Sequence, residues 1–150
     1  MKIKSILFLF LLTSFSNSVF SQQKITWKDV VEIYAKEFRL KEKNPTSTLN
    51  THTMSLSEVA NKKVTIRGYF LDLDPDGKWY MLSKNPFATC FFCGKAGPET
   101  ILELLEFKND KKKFKSDDLV EVTGIFNAIY DLEEKVSFVL EKVSIKLINK

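Results

Sequence analysis

The sequence has few of the residues on which most catalytic sites depend. It contains one histidine (His52), two cysteines and five glycines in 150 residues. It has no Gly-x-Ser-x-Gly motif, no His-Glu-x-x-His motif and no glycine-rich loop that would bind phosphate. A single histidine in a segment rich in Thr and Asn gives little support for a nucleophile–base pair. These absences favour a protein that is not an enzyme.

The apolar run near the start of the chain is too short to cross a membrane. It spans residues 6–12, whereas a membrane-spanning helix needs about 20 apolar residues. Lys2 and Lys4 precede the run, and a Ser/Asn-rich stretch follows it as far as Ser21. This pattern predicts a signal peptide over residues 1–21, cleaved before Gln22. No cysteine lies near that point to accept a lipid. We therefore expect a soluble, exported protein, periplasmic or secreted, that is not a lipoprotein.

The charge balance argues against a nucleic-acid partner. The formal net charge of the chain is +4, and cleavage of the signal peptide removes Lys2 and Lys4, so two of these charges are lost. The small remaining excess of lysine is not the basic footprint of a nucleic-acid-binding domain. Apolar residues make up 44% of the chain, which is enough to form one hydrophobic core without metals or disulfides.

Residues 22–61 are predicted to form an N-terminal amphipathic helix and a linker. Five apolar or aromatic residues share one face at helical spacing: Trp27, Val30, Val31, Tyr34 and Phe38. Thr26 is a candidate N-cap, with Asp29 three residues later at the positive end of the helix. The Ser55-x-x-Glu58 pattern predicts a second, short helix by the same capping chemistry.

Residues 62–150 are predicted to form a small β-barrel. Alternating apolar and polar residues, bounded by turn signals, indicate strands over residues 64–71, 78–83, 101–107, 119–130 and 136–147. For residues 101–107, a helix starting at Pro98 is the competing interpretation. Five strands in this length favour a five-stranded antiparallel barrel of the OB type. Gly68 and Gly124 fall where strands bend to close such a barrel.

Four segments carry a resemblance to a known family: residues 64–70, 90–94, 98–99 and 120–124. With them the chain resembles an uncharacterised family of small exported bacterial OB-like domains that have a Cys-x-x-Cys-Gly loop. The resemblance covers about residues 55–147 and implies a barrel fold and export. It implies no activity, because none is established for that family.

Cys90 and Cys93 are the two cysteines of the chain, and their spacing leaves four interpretations open. A structural disulfide would close a ring of only four residues and contribute about 2 kcal/mol. A zinc site is the second, with Cys90, Cys93 and His52 as ligands and Glu99 or water as the fourth. Thiol–disulfide exchange is the third, although no βαβ setting surrounds the motif. The fourth is a pair of free thiols without a special role.

Three phenylalanines surround these cysteines: Phe87, Phe91 and Phe92. They either pack under the loop onto the core, which is the commoner outcome, or form an exposed contact surface for a partner. We predict a non-enzymatic exported domain that binds an unknown protein or small ligand through this loop, without a cofactor. The alternative function is a metal-handling or thiol-redox protein that uses Cys90 and Cys93, with zinc as the implied metal.

Overall fold

The computed structural model describes residues 22–41, 54–74, 76, 79–90, 96–110, 113–130 and 136–148, without side chains for residues 38–41 and 136. The predicted signal peptide lies outside these ranges. The described elements are, in chain order, β1 (Gln23–Lys24), α1 (Trp27–Lys41), α2 (Leu56–Val59), β2 (Lys62–Asp72), β3 (Tyr80–Ser83), β4 (Ile101–Leu104), β5 (Leu119–Tyr130) and β6 (Val136–Leu147). Two 3₁₀ helices, Phe87–Thr89 and Pro98–Thr100, lie between β3 and β4.

Strands β2 to β6 form a closed five-stranded barrel. Their order is β2-β3-β4-β6-β5, and β5 pairs with β2 to close the ring. Four of these pairs are antiparallel, but β4 and β6 are parallel, with Glu103 opposite Val139. The predicted five-stranded barrel is therefore confirmed, but its predicted antiparallel pairing holds for four of the five pairs, and the barrel is mixed. A closed ring with an odd number of strands cannot alternate direction throughout, so at least one pair of neighbours must be parallel.

A cluster of aromatic rings fills one end of the barrel. Phe70 of β2 is fully buried, and its ring lies 5.5 Å from that of Tyr80, 5.8 Å from that of Phe114 and 6.1 Å from that of Phe107. Phe107 and Phe114 belong to the connection between β4 and β5, which therefore covers this end. That connection begins early, because the predicted strand over residues 101–107 ends at Leu104 and Glu106 takes a positive φ of 57°.

Helix α1 packs against the core of the barrel, next to β6 and the 3₁₀ helix Pro98–Thr100. Thr26 caps its first turn together with Asp29, whose Oδ2 accepts the Thr26 N–H at 2.7 Å. Val30 and Ile33 are fully buried, and Tyr34 meets the ring of Phe138 edge-on at 6.0 Å. The predicted N-terminal helix is confirmed. Within the described ranges, the helices are too short and too polar to span a bilayer.

Gly124 marks the point where the long β5–β6 pair changes register. The shift lies between Thr123 and Ile125, and a Cβ on Gly124 would come within 2.9 Å of the Glu141 carbonyl oxygen. Any larger residue would push the two strands apart there. The bend that the sequence predicts at Gly124 therefore coincides with an irregularity of the strand pairing.

Candidate functional site

Residues 84–100 connect β3 to β4, and we call this segment the Cys90 loop. Its first 3₁₀ helix is held by Asp117 from the turn before β5, whose Oδ1 accepts the Phe87 N–H at 2.7 Å. Asp117 has a positive φ of 71°, and its own N–H donates to the Phe70 carbonyl oxygen at 2.9 Å. The start of the Cys90 loop is therefore fixed to the barrel through two consecutive hydrogen bonds.

Cys90 is buried against the outside of the barrel and not within its main core. Its side chain is 0% exposed and forms a second apolar cluster with Leu71 and Met81, against which Leu73 and Ile101 also pack. Alternation along the strands explains this placement, because the chain neighbours Phe70, Tyr80 and Leu82 belong to the main core cluster. The side chains of β3 and β4 that point away from the core form what we call the outer face.

The predicted disulfide stays a prediction. Cys90 has no disulfide partner among the described residues, and Cys93 lies outside them. Thiol–disulfide exchange requires a sulfur that an attacking thiolate can reach. The burial of Cys90 therefore disfavours attack on this sulfur in the conformation described.

The predicted zinc site also stays a prediction, because Cys93 and His52 lie outside the described ranges. Within those ranges, no three His, Cys, Asp or Glu side chains come together in a group that could hold a metal ion. Glu99, the candidate fourth ligand, lies beside the helix α1. Burial raises the pKa of the Tyr34 hydroxyl above its ordinary value, and the negative charge of Glu99 raises it further.

Phe87 is the one phenylalanine of the predicted contact surface that the structure describes, since Phe91 and Phe92 lie outside its ranges. Its side chain is 43% exposed, although its backbone is fixed by Asp117. Phe87 is therefore not part of the core in which such residues are most often found. Phenylalanine is among the residues that are enriched at protein–protein interfaces.

A shallow groove of about 50 Å³ lies on the outer face next to the Cys90 loop. Its lining residues are Met81, Pro98, Ile101, Glu103, Ser137 and Phe138. Met81 and Ile101 are shared with the cluster around Cys90. Pockets for small molecules usually measure about 300 Å³ or more, so this groove fits a single side chain better than a separate small ligand.

Sequence reasoning missed this groove. The period-2 alternation of β3 and β4 places Met81, Ile101 and Glu103 on one outward-facing set, and that signal was present in the sequence. The sequence contained no signal that Ser137 and Phe138 of β6 also line the groove, because their position depends on the parallel pairing of β6 with β4. No protein-family model matches this chain, and no curated protein matches it significantly.

Proposed function

We propose that this chain is an exported, non-enzymatic interaction domain that binds a partner protein through the Cys90 loop. The exposure of Phe87 on an anchored loop carries the proposal. Holding the backbone in place lowers the entropy that is lost when an exposed side chain becomes ordered in an interface. The small volume of the adjacent groove favours a protein partner over a small molecule.

We further propose that the barrel is OB-like. Strands β5-β2-β3-β4 follow the spatial order 4-1-2-3 of a Greek key, and five strands close the barrel, as in the OB fold. OB domains bind ligands on the face of their second and third strands, which correspond here to β3 and β4. The Cys90 loop and the groove lie on that face. This agreement is an analogy at the level of the fold and supports only the position of the binding surface.

Photocross-linking in the source cells tests the proposal. A photoreactive phenylalanine analogue replaces Phe87 in one variant and Leu147 in the control. Leu147 has a similar exposure, 47% against 43%, but it lies at the end of β6, outside the Cys90 loop. Each variant is exported by its own leader and irradiated in intact cells, and its adducts are identified by mass spectrometry.

We expect position 87 to yield one reproducible adduct with another exported protein, and position 147 to yield none with it. Equal yields of that adduct from both positions would overturn the proposal, and so would the absence of any adduct at position 87. An adduct at twice the mass of the chain would show that this surface binds a second copy of the chain, and it would also overturn the proposal.

A further inference from the structure

Glu103 provides the carboxylate in a groove that is otherwise mostly apolar. In the strand pairing it lies directly opposite Met81 of β3 on one side and opposite Val139 of β6 on the other. The Met81 and Val139 side chains are 5% and 0% exposed. Glu103 is thus flanked on both sides by residues with buried apolar side chains, and it is one of the residues that line the groove.

The carboxylate of Glu103 forms no hydrogen bond or ion pair with any residue in the part of the chain that the structure describes. Glu121, which also points outward, differs: its Oε2 lies 2.7 Å from Nε of Arg67, which lowers the pKa of Glu121. A carboxylate between apolar side chains loses part of its hydration. An added cation would therefore interact with Glu103 more strongly than with a fully hydrated surface carboxylate.

We propose that the groove binds the cationic side chain of one lysine or arginine of the partner protein. The apolar stem of that side chain lies on Met81, Pro98 and Ile101, and its charged end donates hydrogen bonds to Glu103. Lysine and arginine suit this shape because their stems bury readily while the charged end stays near water. This inference rests on the proposed function, since it supplies the chemistry by which a partner is recognised beside Phe87.

An NMR titration tests the groove without the partner. The isotope-labelled protein, recovered after export by its own leader, is titrated with n-pentylammonium and separately with n-pentanol and n-pentanoate. These three probes share an apolar chain and differ in the charge of the head group. The titrations are repeated on Glu103→Gln and on the control Glu121→Gln, which removes the same charge from a different place on the barrel.

We expect n-pentylammonium to cause saturable shifts in the backbone amides of the groove, at Met81, Ile101 and Ser137. We expect Glu103→Gln to weaken this binding about fivefold, the upper range for a partly exposed ion pair, and Glu121→Gln to leave it unchanged. Equal shifts with n-pentanol or n-pentanoate would overturn the charge preference, and no saturable shifts would overturn the site. Because the titration involves no partner, its result is independent of the cross-linking at Phe87.

Discussion

Substitution of Cys90 by serine separates the packing of this side chain from any disulfide it forms. The side chain is 0% exposed among Leu71 and Met81. A serine hydroxyl placed there without a partner costs about 1–3 kcal/mol. The matched control is Cys93→Ser, which removes the same disulfide but leaves Cys90 in its cluster. Each of the two variants loses the contribution of the four-residue ring, which is about 2 kcal/mol if the disulfide forms.

We therefore expect Cys90→Ser to lower the free energy of unfolding by about 1–3 kcal/mol more than Cys93→Ser does. Cys90→Ala should lie between the two variants, because it removes one buried sulfur, worth about 1 kcal/mol, and adds no polar group. The measurement is urea unfolding followed by far-UV circular dichroism, carried out with and without a reductant.

Unfolding with and without a reductant distinguishes the effect of the disulfide from the effect of the buried side chain. In reductant the wild type and Cys93→Ser should become equally stable, while the deficit of Cys90→Ser against Cys93→Ser persists. If Cys90→Ser and Cys93→Ser were equally stable within about 0.5 kcal/mol under both conditions, the burial of Cys90 would contribute nothing. The packing of Cys90 against Leu71 and Met81 would then not help to hold the Cys90 loop on the outer face, which would refute our account of this cluster.

Two further predictions concern the barrel and the short helix. Phe70→Ala should lower the free energy of unfolding by about 3–5 kcal/mol in chemical denaturation, because it empties the centre of the aromatic cluster; a loss below about 1 kcal/mol would contradict this packing. Hydrogen bonds from Ser55 lower the pKa of Glu58. The ionised Glu58 side chain therefore contributes its full share of stability above the ordinary carboxyl pKa, and this contribution is lost as the pH falls through the lowered pKa. Glu58→Gln, which retains the capping geometry, should therefore lose less stability on acidification than the wild type. If the free energy of unfolding depended on pH identically in the two proteins, the ionised Glu58 carboxylate would not stabilise the helix cap.

The sequence was sufficient to predict helices α1 and α2 and strands β2 to β6, whereas the short strand β1 and the two 3₁₀ helices were not predicted. The alternation in β2 and β5 and the capping residues Thr26 and Ser55 act over a few neighbouring positions, so their consequences can be read without the rest of the chain. The strand over Ile101–Leu104 was also predicted, although its helical competitor followed from the same short apolar run. Only the pairing of this segment with β3 and β6 decides between the two.

The features that were missed depend on contacts between distant parts of the chain. The parallel pairing of β4 with β6 follows from the closure of a ring of five strands, which no single segment encodes. The hydrogen bond between Phe87 and Asp117 joins residues 30 positions apart. The burial of Cys90 on the outside of the barrel requires a loop to fold back over β3. For the same reason, the groove beside Glu103 could not be assembled from motif spacing.

The central claim is that a partner protein is bound through Phe87 on the Cys90 loop. It is tested most directly by competition in the photocross-linking experiment, with the photoreactive analogue at position 87 and an excess of unlabelled competitor. Wild-type protein and Leu147→Ala should both suppress the adduct, because their loops are unchanged. Phe87→Ala should suppress it at least about fivefold less well, as expected when a central aromatic contact is removed from an interface. Equal suppression by Phe87→Ala and wild type would contradict the claim.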